Sequence, residues 1–165
     1  MKIEELTQLE RNIEILMPKV GCLEERDEYL LKHGLYKEWR SLFVKYANLA
    51  LVGDSEALKR SLFLLWYQCA EPNQLSGIYE LDETLTKKVL IKIDKMSESG
   101  KLDSELTFML PFYYQITEWY FKRFSNLNHI LKASIANPDL WEREAQKVNW
   151  ENRGVMGDYW SSKGL

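Results

Sequence analysis

Glycine and proline are scarce in this chain of 165 residues, which contains 8 Gly and 4 Pro. A sheet protein needs many tight turns, and these two residues form a large share of them. Their scarcity therefore argues against a turn-rich β fold and favours long helices joined by short connections.

Cysteine and histidine are rarer still, with 2 residues of each. Cys22 and Cys69 form no C-x-x-C pair, and the histidines are irregularly spaced from them, so the sequence predicts no disulfide framework and no zinc site. Both cysteines have apolar neighbours in sequence, which predicts reduced core thiols in a reducing compartment. No cofactor is expected.

Long apolar runs and basic tracts are also missing. No run is long enough to span a bilayer, and Met1-Lys2 leads directly into an acidic amphipathic segment, so we expect a cytoplasmic protein without a membrane partner. The net charge is -3. A dedicated nucleic-acid binder needs clustered lysine and arginine, so nucleic acid is not an expected partner.

Apolar side chains recur at helical spacing along most of the chain. Ile3, Leu6, Leu9, Ile13 and Leu16 follow one another at gaps of 3, 3, 4 and 3 residues, which places them on one face of a helix. Similar stripes predict an all-α, single-domain bundle of about 7–8 helices over residues 1–165, built from antiparallel helix hairpins.

Polar residues and proline predict where several of these helices begin, bend or stop. Asp54, Asp82 and Asp103 each precede an apolar stripe and are expected to be N-caps. Asn126 is expected to cap a later, short helix. Pro111 lies inside a periodic segment and should kink or restart the helix there. Residues 71–77 read as a loop.

The C-terminal segment 150–165 has no helical periodicity and contains three of the glycines. We expect an irregular tail that packs on the bundle or on a partner, because a merely solvated tail has no use for large rings. Aromatic side chains also anchor binding surfaces. The candidate interaction surface therefore comprises the apolar tail residues and an acidic cluster: Trp150, Met156, Tyr159, Trp160, Glu24, Glu25 and Glu28.

The acidic cluster has a second interpretation. Glu24 and Glu28 lie four residues apart and share a helix face with room for a hydrated Mg²⁺. Glu-Glu-x-x-Glu resembles one half of the metal site of the all-α nucleotide pyrophosphohydrolases. The resemblance implies a second helix with Glu-x-x-Asp, and the nearest segment here, Glu80–Glu83, reads Glu-x-x-Glu instead. A solvated acidic face is the competing interpretation.

A second candidate site is an aromatic pocket between helices. Its predicted lining combines rings with two titratable groups: Trp66, Tyr67, Tyr113, Tyr114, Glu118, Trp119, Tyr120 and His129. Glu118 precedes Lys122 by four residues, so a surface ion pair is the alternative for that carboxylate. Convergence of Glu118 or Glu80 with His129 at a cavity would favour the pocket.

Two functions follow from these patterns. The first is a non-enzymatic interaction module, of an immunity or adaptor kind, that binds another protein. The second is a helical bundle that binds a ligand, or a metal-dependent hydrolase that uses Glu24, Glu25 and Glu28. The sequence is also compatible with a homo-oligomer.

Overall fold

The computed structural model describes residues 2–164. The predicted domain limits, Met1 and Leu165, lie outside the described residues. Within this range the chain forms α-helices, one short 3-10 turn and no strand, which confirms the all-α prediction. The helices are α1 (Ile3–Leu16), α2 (Leu23–Lys32), α3 (Leu35–Leu51), α4 (Ser55–Ala70), α5 (Asn73–Ser76), α6 (Glu83–Glu98), α7 (Ser104–Lys122), α8 (Asn128–Ile135), α9 (Leu140–Glu144) and α10 (Gly154–Ser161). The 3-10 turn spans Ala145–Lys147.

Three helix starts were predicted correctly from single residues. The Asp54 carboxylate accepts the Ala57 amide at 2.8 Å, Asp82 accepts the Leu85 amide at 2.7 Å, and Asp103 accepts the Leu106 amide at 2.9 Å. Each bond satisfies an amide that has no partner inside the helix, so α4, α6 and α7 begin where the caps stand.

Other local predictions were wrong. The expected loop at 71–77 contains the short helix α5. Helix α7 continues through Pro111 and bends instead at Thr117, where φ is -130° and ψ is 43°. The Thr117 hydroxyl donates to the Tyr113 carbonyl at 3.0 Å, which occupies that carbonyl beside the bend. Asn126 does not cap α8, whose N-cap position is Leu127.

Helix α4 forms the centre of the bundle. Residues 57–66 are all buried, although they include Lys59 and Arg60. The helix packs against α3, α6 and α7, while α8 lies against both α6 and α7. Helix α1 covers α3, and α10 contacts α1 and α4. The core therefore surrounds α4 on several sides.

The C-terminal segment is helical over Gly154–Ser161 and is not the irregular tail that its sequence suggested. Trp160 is fully buried and stacks on Trp150 at a centroid distance of 5.3 Å. Its indole N–H donates to the Tyr113 hydroxyl at 3.2 Å. The tail thus supplies part of the hydrophobic core of the same chain.

Candidate functional site

The predicted interaction surface is divided by the fold. Trp150, Met156 and Trp160 are buried inside the bundle and present no surface to a partner. Tyr159 is half-buried, with its ring 5.0 Å from that of Trp66. Burial of such rings removes a large apolar area from water, which explains why the tail folds back on its own chain.

Glu24, Glu25 and Glu28 are exposed on α2. Glu25 has a structural role, since its carboxylate accepts the Cys22 amide at 3.0 Å at the start of the helix. Across residues 2–164 no three His, Cys, Asp or Glu side chains lie together as a metal site. The structure thus lends no support to a hydrolase built on this cluster.

The cysteine prediction was wrong for one thiol. Cys22 is exposed at the N-cap of α2, and only Cys69 is partly buried. Burial raises the pKa of the Cys69 thiol to about 11, so this thiol stays protonated and unreactive at neutral pH. Neither cysteine is in a disulfide.

The inner half of the predicted pocket is solid core. The Trp66 and Tyr113 rings stack at 4.5 Å, and Tyr67 stacks on Phe63 at 4.9 Å. Tyr120 is buried with its ring 5.5 Å from that of Phe124. The close-packed rings of Trp66, Tyr67 and Tyr113 leave no room for a ligand between them. Tyr120 instead lines a cleft of about 410 Å³ on its outer side.

The outer half points away from the core. The Glu118 carboxylate pairs with Lys122 at 2.5 Å and accepts the Tyr114 hydroxyl at 3.2 Å. His129 faces Glu98 at 3.6 Å on α6. Glu80 lies 3.6 Å from Arg40 and lines the cleft that Tyr120 borders, but neither Glu118 nor His129 lines that cleft. The predicted convergence of Glu118 or Glu80 with His129 at a cavity is therefore not seen there.

The structure reveals a buried network of charges that the sequence did not indicate. The Tyr46 hydroxyl donates to Glu10 at 2.5 Å, and Arg60 lies 3.5 Å from the same carboxylate. Arg60 also donates to Tyr46 at 3.0 Å and to the Asn152 carbonyl at 3.1 Å. Burial raises the pKa of Glu10 despite these bonds.

The network continues toward the surface through Arg153. Its guanidinium pairs with Glu56, and its Nη2 lies 2.7 Å from Glu105. Glu56 also accepts Arg60 at 2.8 Å, so one carboxylate joins two arginines. Burial acts to raise the pKa of Glu56, but the two guanidinium groups outweigh it and lower that pKa. Lys59 also belongs to the network, because its ammonium group lies 3.2 Å from Glu105 and 2.9 Å from Asp103.

A polar cleft of about 420 Å³ lies over this network, and Glu56, Glu105 and Arg153 line it together with Glu144 and Lys147. These charges are paired with one another, including Glu144 with Lys147 at 2.8 Å. Arg153 joins the C-terminal segment to Glu56 on α4 and to Glu105 on α7. The cleft therefore marks where the C-terminal segment is fastened to α4 and α7. In the sequence, the feature that could have pointed to this buried network is the pair Lys59-Arg60, which stands inside an otherwise apolar helix.

Exposed apolar side chains occur at several places on the described chain, and three of them lie on the hairpin of α7 and α8. Trp119 is 59% exposed, Ile116 48% and Ile135 64%. The Gln115 amide donates to the Pro138 carbonyl at 2.7 Å, which holds the α7 turn bearing Ile116 beside the chain that follows α8. We call Ile116, Trp119 and Ile135 the hairpin face.

None of the helices within residues 2–164 is long and apolar enough to cross a membrane. Comparison of the chain with protein-family models, with curated proteins and with solved structures gives no match.

Proposed function

We propose that this chain is a non-enzymatic interaction module, of an immunity or adaptor kind, that binds another protein through the hairpin face. The observation that carries the proposal is the exposure of Trp119. Trp39, Trp66, Trp150 and Trp160 are buried in the core, whereas 59% of Trp119 faces solvent. Tryptophan is enriched among the residues that contribute most to binding energy at protein interfaces.

The charges around the hairpin face suggest the chemistry of the partner. Glu118 and Lys122 neutralise each other at 2.5 Å, and the Arg123 guanidinium lies 5.7 Å from the Tyr120 ring centroid. The three apolar side chains of the hairpin face suit an apolar concavity on another protein, and Arg123 keeps its positive charge beside them. Binding to it should respond weakly to salt, because few unpaired charges take part.

The paired state of the buried charges supports a role without catalysis. Glu56 bonds Arg60 at 2.8 Å, and Lys59 pairs with Asp103 at 2.9 Å. The proposal includes a cytoplasmic location, since Cys22 and Cys69 are free thiols and Cys22 is exposed. A reducing compartment keeps such a thiol reduced.

Photo-crosslinking tests the proposal. Benzoylphenylalanine would replace Trp119 in one sample and exposed Lys87 in a control, and each protein would be irradiated in extract of the organism that encodes it. We expect a discrete protein adduct from position 119 that is absent from position 87. The captured protein would then be purified and its affinity measured by calorimetry.

Binding of the purified partner should depend on the hairpin face. Trp119→Ala should weaken it about tenfold to a hundredfold, and Ile135→Ala should also weaken it. Val52→Ala is the matched control, because Val52 is 83% exposed on a different helix end. A partner whose affinity is the same in all three variants contradicts the proposal, as does an adduct formed only between two copies of this chain.

A further inference from the structure

A groove beside α6 combines an apolar floor with a basic rim. It has a volume of about 460 Å³, and its lining includes Leu51, Ile91 and Met96 together with Lys88, Lys92 and Lys95. On α6 these lysines and Ile91 recur at spacings of three and four residues, which aligns them on one side of the helix over roughly 10 Å.

The carboxylates of α6 are engaged away from the groove. Glu83 pairs with Lys87 at 3.1 Å, and Glu98 faces His129 at 3.6 Å. Asp94 accepts two amides at the start of α8, at 2.9 Å and 2.8 Å. No acidic side chain of residues 2–164 lines the groove, so its lysines have no carboxylate beside them there.

The lysine side chains of the groove form no ion pair within the described chain. Lys92 donates only to the Leu51 carbonyl, at 3.4 Å, and Lys88 and Lys95 are exposed. This local excess of positive charge occurs in a chain whose net charge is -3. A partner with negative charges would therefore find its complement here and not on the average surface.

We propose that this groove binds an acidic amphipathic helix of another protein. Its leucine-like face would cover Ile91, Leu51 and Met96, and its flanking carboxylates would meet the lysines. The apolar floor favours a helix over nucleic acid, whose phosphates need a continuous basic track. None of the hairpin-face residues lines this groove. The inference can therefore be right or wrong independently of the proposed function.

A designed peptide provides the probe. It would be a helix of about 18 residues, or five turns, with leucine along one face and glutamate elsewhere, and with a fluorophore for anisotropy. A second peptide would carry lysine in place of glutamate. We expect the glutamate peptide to bind at least about tenfold more tightly. Its affinity should fall at least about tenfold between roughly 50 and 500 mM salt.

Charge reversal on α6 identifies the groove. The double variant K88E/K95E should weaken binding of the glutamate peptide at least about tenfold, because both lysines lie on the rim. K87E/K132E changes the net charge equally at exposed positions outside the lining and should leave the affinity within about twofold. Ile91→Asp should abolish binding, while Trp119→Ala should not affect it. Circular dichroism would verify that each variant is folded.

Four results would overturn the inference. Both peptides could bind equally, or K88E/K95E could bind the glutamate peptide as the parent chain does. Vesicles of phosphatidylcholine with about 30% phosphatidylglycerol could bind more tightly than the peptide through the same lysines, which would assign the groove to a membrane surface. A monomer–dimer shift of K88E/K95E in sedimentation would assign it to a second copy of the chain.

Discussion

Glu10 lies within the bundle, 1% exposed, and its carboxylate joins parts of the chain that are distant in sequence. It accepts the Tyr46 hydroxyl at 2.5 Å and the Val155 amide at 2.8 Å. Val155 stands in the first turn of α10, where amides have no partner in their own helix. Glu10 therefore caps α10 from α1.

Gly154 makes this contact possible, and its replacement tests the role of Glu10. Its φ is +60°, and a β-carbon at this position would overlap the Glu10 carboxylate. Gly154→Ala should destabilise the protein by about 1–2 kcal/mol through the left-handed backbone, with about 1–3 kcal/mol more from displacing a buried acceptor. The loss would be measured by urea unfolding followed by circular dichroism.

Gly100→Ala is the matched control for this substitution. Gly100 has a similar φ of +67°, but no atom lies within 4 Å of its ideal β-carbon. This variant should show the backbone cost alone. If the two variants lose the same stability, the Glu10 contact does not hold α10 in place.

At the scale of the element, helix starts divide into those that the sequence predicts and those that it does not. Asp54 and Asp103 cap their own helices across three residues, so a local pattern is sufficient to identify them. Asp94 caps α8 from a separation of 35 residues, at the His129 amide. Such a contact depends on how α6 packs against α8, which no local pattern contains.

Asp94→Ala measures the contribution of this distant cap. The variant should lose about 1–2 kcal/mol, because two amides of α8 would lose their acceptor. Asp139→Ala is the control, since Asp139 is exposed at the N-cap of α9 and forms no cap bond through its side chain. It should change stability by less than about 0.5 kcal/mol. Equal losses in the two variants, measured by thermal unfolding, would argue against the cap.

The aromatic residues show a second limit to local patterns. The sequence indicated that Trp150 and Trp160 must be buried against other apolar side chains, because such rings are unfavourable in water. The hydrophobic effect has no direction, so the sequence could not decide between the bundle and a partner. In the structure, Trp150 and Trp160 stack at a centroid distance of 5.3 Å and are buried in the bundle of their own chain. Trp119 lies just after the bend at Thr117, whereas the sequence placed the bend at Pro111.

At the scale of the whole molecule, the buried charges and the exposed faces have different roles. Glu10, Arg60, Glu56 and Arg153 connect α1, α3, α4 and the C-terminal segment through bonds between residues as far apart as 145 positions. The hairpin face and the α6 groove lie outside this network. Substitutions there should alter binding with little effect on stability, whereas substitutions in the network should alter stability first.

The network also makes stability depend on pH in two opposite ways. Burial raises the pKa of Glu10 above its ordinary value of 4.5, so the stability contributed by this group is complete below that value and is lost as pH rises through the raised pKa. The pKa of Glu56 is lowered because Arg153 and Arg60 outweigh the effect of its burial. Its contribution is present above 4.5 and is lost on acidification through the lowered pKa.

Glu10→Gln and Glu56→Gln should therefore differ in the sign of their pH dependence. Glu56→Gln should lose about 3 kcal/mol at neutral pH, and the loss should shrink in acid, where the parent carboxylate is also protonated. Glu10→Gln resembles the protonated acid, so its stability relative to the parent should improve as pH rises. Urea unfolding of the parent and both variants at several values between about pH 2 and 8 would give both slopes, since the Glu56 contribution is lost below its ordinary pKa. Parallel slopes would mean that the two carboxylates share one environment, contrary to the separate partners that Tyr46 and Arg153 provide.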